Sequence, residues 1–221
     1  MNYYIVVEGK SGESKVYPKW IHELNPELTQ VYSPAEILHN NFLLVSGNGY
    51  PQYFRIVDGA VEDCNAYPSI DFLVIAVDAE DMSREEKIEE IQNHLGTRIE
   101  PHRVKIIVQH PCLETWALGN RIVCRRNPQD KELRSYLRFY DVRERDPEEL
   151  PSLEEKNLNR CQFAFVYLKR MLFDRYPKLT YTKSNPVVIE HERYFAQIKR
   201  RLNETDHICS FEVFVDTFGV I

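Results

Sequence analysis

Four short apolar runs, over residues 3–7, 42–46, 71–77 and 104–109, punctuate the first half of the chain. Each is nearly continuous rather than alternating, the pattern of strands buried on both faces of a parallel sheet. The intervening segments 13–24, 52–64 and 83–95 suit helices. In the last of these, Ser83 and Glu86 have capping-box spacing, and Ile88, Ile91 and Leu95 recur on one face. Strand and helix alternate, which predicts right-handed crossovers and an open α/β sheet. The expected fold is Rossmann-like: a mainly parallel four-stranded sheet in the order 2-1-3-4, with helices on both faces.

After residue 109 the pattern changes. Residues 111–120 read as a loop entering a short helix, 131–140 as a basic helix, and 143–152 as a charged linker with two prolines. A long amphipathic helix is expected over 154–173, with Leu158, Cys161, Phe165, Leu168 and Leu172 inward. Segments 189–202 and 208–218 close the chain as helices. The division is an α/β domain over 1–110 and a helical extension over 111–221 packed on it.

Composition narrows the setting. No apolar run approaches the ~20 residues of a membrane span, and the N-terminus lacks a basic stretch followed by an apolar one. The five cysteines form no CxxC pair. Free thiols in a cytoplasmic protein are therefore expected, and a structural zinc site is not. The net charge is −6, but it is unevenly spread: residues 1–110 hold 9 Lys/Arg against 17 Asp/Glu, and residues 111–221 hold 19 against 17. Overall acidity argues against a simple electrostatic nucleic-acid binder. It is compatible with an acidic site neutralised by metal.

That acidity gathers where the strands end. "VVEGKSGE" carries Glu8 just past the first run, and "LVIAVDAED" carries Asp78, Glu80 and Asp81 just past the third. Open α/β sheets collect functional groups at the carboxyl ends of their strands. Neighbouring strands stand ~5 Å apart, so Glu8 is expected against Asp78 in one pocket, with Glu80 projecting from the same loop. Clustered carboxylates take up protons unless a cation lies among them. Hard oxygen donors suit Mg²⁺ or Mn²⁺. The plainer reading is an acid at a strand end that caps the next helix, as Asp81 or Ser83 would.

Together the two stretches resemble the Toprim domain, the catalytic fold of topoisomerases, bacterial primases and OLD-family nucleases. Glu8-Gly9 matches its first motif; Asp78-Ala79-Glu80 matches its Asp-x-Asp motif with Glu in place of the second Asp. The likeness covers roughly residues 1–110. Downstream, "HPCLETWALGN", "YTKSNP" and "HICSFEVFVDTF" are similar to segments of small stand-alone bacterial Toprim proteins, including RloB-like ones. The resemblance implies an endonuclease that hydrolyses phosphodiester bonds of DNA or RNA. It further implies an effector of anti-phage defence, restrained by an ABC- or SMC-type ATPase partner; a homodimer is left open. It makes Glu114 a further acidic site residue and Lys183 a cation near the scissile phosphate. The plainer readings are a carboxylate favoured at a helix N-terminus and a solvated surface lysine.

In that scheme Asp78 and Glu80, or Asp81 in its place, bind metal, and Glu8 is ligand or general base. Lys10 and Lys15 flank the first motif and are candidates for substrate phosphates. Residues 121–145 carry eight Lys/Arg against four acids, with Lys131, Arg134 and Arg138 on one helical face. Tyr136, Phe139 and Tyr140 either stack on unpaired bases or face the core. The alternative function is a non-catalytic binding module whose acids are solvated.

Overall fold

The computed structural model describes residues 1–220. The first half runs β1 (Tyr3–Val7), α1 (Glu13–Leu24), β2 (Thr29–Val31), β3 (Asn41–Ser46), α2 (Tyr53–Ala66), β4 (Phe72–Asp78), α3 (Arg84–Leu95) and β5 (Val104–Gln109). All five strands are parallel, in the order β2-β3-β1-β4-β5. The order of the four expected strands is as read from the sequence. The count is corrected from four to five by β2, a three-residue edge strand with no apolar run to announce it.

The second half is helical: α4 (Leu113–Leu118), α5 (Lys131–Phe139), α6 (Arg160–Arg175), α7 (Val187–Glu190), α8 (Glu192–Glu204) and α9 (Cys209–Phe218). Among the described residues, no helix is long and apolar enough to cross a membrane.

Period-two alternation sorts the strand side chains between two cores. Tyr4 and Val6 of β1 join Leu73, Ile75 and Val77 of β4 beneath α2 and α3. Tyr3, Ile5 and Val7 join Val74 and Ala76 beneath α1, α4, α6, α8 and α9. The helices that follow residue 110 thus supply most of the cover for one sheet face. Trp20 of α1 is wholly buried there, and its Nε1 donates to the Ile189 carbonyl at 2.8 Å, tying α1 to α7.

Local signals were followed closely at α3, where the Ser83–Glu86 capping box forms. Two expectations need correction. The segment 143–152, expected as a charged linker, is in part packed: Asp146 caps a 3-10 turn over Pro147–Glu149, and Glu148 and Leu150 are buried. The long helix begins at Arg160 rather than 154, because Asn159 and Gln162 form a capping box there. Its buried side chains are Phe163, Ala164, Tyr167, Leu168, Met171 and Leu172 as the main set, with Cys161 and Phe165 only partly covered.

Candidate active site

Glu8 and Asp78 lie on adjacent strands at the carboxyl edge of the sheet, but their side chains part company. The register sets Val7 opposite Ala76. Glu8 therefore comes level with Val77, and alternation sends Asp78 to the other face. Glu8 reaches Asp78 only through the backbone, accepting its N–H at 3.2 Å. The expected single pocket holding both carboxylates is corrected accordingly.

On its own face the half-buried Asp78 neighbours the buried Glu13 and Glu114 and the exposed Lys183. Asp78 Oδ1 accepts the Leu113 N–H at 3.2 Å, at the start of α4. Burial drives its carboxyl well above the usual carboxylate range; Glu13 and Glu114 push it further, while Lys183 opposes them. Burial likewise raises Glu13, with Glu114 adding to the shift. Glu114 Oε1 accepts the Tyr181 hydroxyl at 3.2 Å. Its Oε2 is buried without any hydrogen-bond donor, and Lys183 Nζ stands 3.8 Å away, inside ion-pair range only. Burial pulls the Lys183 ammonium down, but Glu114, Asp78 and Glu13 outweigh it and leave it above its ordinary range.

Glu13 was not among the expected site residues. As the first residue of α1 it reads as an acid favoured by the helix dipole, and nothing local marks it as buried. It is nevertheless nearly closed off from solvent. The glycine after Glu8 explains how: a Cβ at Gly9 would overlap the Glu13 carboxylate. The one signal present in the chain was the pair of carboxylates bracketing a glycine-rich turn.

Around Glu8 the surroundings differ. Burial raises its carboxyl, the Asp78 amide opposes that, Glu80 raises it and Lys87 lowers it. Glu80 is exposed and adopts φ +53°, a left-handed conformation rare for a residue with a side chain. Its N–H donates to the Pro111 carbonyl at 3.0 Å, which locks the loop after β4 onto the loop after β5. Outliers of this kind gather at functional sites. Asp81 is exposed beside it.

Lys10 is exposed on the same turn, and Lys15 Nζ donates to the Ser184 carbonyl at 2.6 Å, holding the Lys183 loop against α1. Arg134 and Arg138 are exposed on α5, apart from the acids. Tyr136 and Tyr140 are buried, so those two rings serve the core; Phe139 is exposed.

The carboxylates of Glu13, Asp78 and Glu114 are hard donors of the type Mg²⁺ takes, and Glu114 Oε2 has no hydrogen-bond donor and only the Lys183 ammonium within ion-pair range. Among the described residues, however, no three His, Cys, Asp or Glu groups are gathered so as to hold a metal ion. An Mg²⁺ here would rest on one or two carboxylates and keep its waters. Comparison with family models, with curated proteins and with solved structures finds no match to this chain.

Proposed function

We propose that this chain is a metal-dependent nuclease of the Toprim type, acting on phosphodiester bonds of DNA or RNA. One observation carries the reading. Asp78, half-buried at the tip of a central parallel strand, is crowded by Glu13 and Glu114 and faces Lys183 as the cation of the group. Such a cluster is poorly satisfied by its own residues and suits a divalent cation and a phosphate.

Asp78 and Glu114 would hold the metal, with Glu80 near the opening. Bound there, Mg²⁺ or Mn²⁺ supplies polarisation of the phosphate and stabilisation of the leaving oxygen. Glu8, expected as ligand or general base, lies on the other face and acts here by fixing the Asp78 backbone through the N–H it accepts. Lys183, whose side chain is 58 % exposed, meets the scissile phosphate. By resemblance alone, the enzyme is a cytoplasmic anti-phage effector held in check by an ABC- or SMC-type ATPase.

The absence of three converging ligands among the described residues favours a second reading, a binding module that uses the same scaffold without catalysis. The two separate on incubating purified protein with DNA and with total RNA in Mg²⁺, Mn²⁺ or EDTA. Cleavage that needs the cation supports the nuclease. Intact substrates in every condition, with the partner ATPase also supplied, support the module.

A further inference from the structure

The arginines of the second half are not spread evenly. A groove of about 470 Å³ lies between α5 and the loop that precedes it, lined by Arg126, Arg134, Arg138 and Arg143 with Asn127 and Gln129. Some arginines outside the groove pair with acids, among them Arg98 with Asp58, Arg121 with Glu204 and Arg170 with Asp130. In the groove only Arg143 has a carboxylate partner, Asp141. Arg126, Arg134 and Arg138 have none among the described residues, and all three are exposed. Arg134 is held in place, its Nη1 donating to the carbonyls of Pro128 and Gln129 at 3.1 and 3.3 Å. Those carbonyls leave its charge uncompensated.

In a protein of net charge −6, this is a concentrated cationic surface. Guanidinium forks match phosphate oxygens in a bidentate geometry. Several set along one groove suit a chain of phosphates better than a single anion. Phe139, next to Arg138 at the end of α5 but outside the groove's lining, packs on Phe163 and is 47 % exposed, leaving an aromatic surface of the kind that stacks on unpaired bases.

The groove lies one helix away from a cavity that borders the acids. On its other side α5 contributes Glu132 and Tyr136 to a cavity of about 430 Å³ that Tyr181 also lines. Tyr181 is the residue that bonds Glu114. The two hollows are thus separated by one helix, roughly 10 Å across.

We propose that this arginine groove holds the backbone of a single-stranded nucleic acid whose scissile phosphate lies at Asp78. The inference rests on the nuclease reading and adds where the substrate is gripped.

Binding of fluorescein-labelled single-stranded RNA and DNA oligonucleotides, read by anisotropy in EDTA across a salt series, tests it. The double variant Arg126→Gln/Arg138→Gln removes two unpaired, exposed charges, and a thermal melt checks its fold. Its affinity should fall about tenfold or more, and its log–log salt slope should shrink by about 1.4, ~0.7 per lost phosphate contact. The control Lys19→Gln/Arg193→Gln, which removes the same charge from α1 and α8, should bind as wild type. An unchanged slope in the arginine variant, or no binding by wild type, overturns the groove. So does displacement by ATP at concentrations equal to the oligonucleotide's, which would assign it to nucleotides, or tighter binding of a duplex. The nuclease reading fails separately: Asp78→Asn should abolish Mg²⁺-dependent cleavage and leave binding in EDTA intact. Binding without any cleavage by wild type would reject catalysis and keep the groove.

Discussion

Besides Asp174 in α6, two places in this molecule bury carboxylates, and they do so on different terms. Glu148 lies beneath the start of α9. Its carboxylate accepts the Ser210 N–H at 3.1 Å and the Ser210 hydroxyl, while Trp116 Nε1 donates to that same hydroxyl at 2.7 Å. At the sheet edge the buried Glu13 and Glu114 crowd the half-buried Asp78, and one Glu114 oxygen has no hydrogen-bond donor. Burial raises pKa in both places, so burial does not mark a functional site. What separates them is satisfaction: Glu148 is a tie between elements, whereas the edge cluster is left needing positive charge.

The sharpest way to break this contrast is Asp78→Asn. It preserves volume but removes charge from the cluster. Mg²⁺-dependent cleavage should fall by orders of magnitude, since metal polarisation is worth several kcal/mol and each ~1.4 kcal/mol is tenfold in rate. Folding should survive, because relieving repulsion among buried acids stabilises the metal-free protein. Wild-type rates of cleavage in the variant would end the metal-nuclease assignment. Glu8→Gln, on the other face and bonded to the Asp78 amide, should cost less than Asp78→Asn.

A second difference concerns pH. Glu148 has its pKa raised from 4.5 to about 7, chiefly by burial. Its contribution to stability is complete below pH 4.5 and is lost as pH rises through about 7, roughly 3 kcal/mol in all. Glu148→Gln should therefore raise Tm by several degrees at pH 8 and change little at pH 4.5. A variant that melts like wild type at pH 8 would show Glu148 to be ionised at no cost.

The cluster has the same sign, since Asp78, Glu13 and Glu8 are all shifted upward by burial. In EDTA its stability should also decline as pH rises above the usual carboxylate range. Here, unlike at Glu148, Mg²⁺ should restore Tm, with the larger gain at pH 8 than at pH 5. Equal gains in Asp78→Asn and wild type would detach the cation from this site.

Smallest is the effect of Lys183→Ala on stability. The side chain is largely exposed and its ion pair is long, so the loss should be about 1 kcal/mol or less. Turnover should fall far more than Tm. Parallel losses of both would make Lys183 a structural counter-ion rather than a phosphate contact.

Much of the scaffold was legible along the chain. Continuous apolar runs located β1, β3, β4 and β5, and capping residues located α3. Strand β2 escaped because Thr29, Gln30 and Val31 are exposed or half-exposed and carry no run of apolar positions. The tyrosines at α5 had two readings in the sequence; Tyr136 packs on Phe163 and Tyr167, Tyr140 bonds the Asp146 carbonyl, and both are buried.

The sequence by itself determined the parallel α/β order, the edge at which the acids gather, and the presence of Asp78 there. These depend on periodicity, and periodicity is set by neighbours a few residues away. Only the tertiary structure decided which acids keep company. The register of β1 against β4 parts Glu8 from Asp78, and the close approach at Gly9 brings in Glu13. The start of α4 and the loop after α6 then bring Glu114 and Lys183 to Asp78. Face, burial and charge neighbours arise from contacts between residues far apart in the chain, and a local pattern does not encode them.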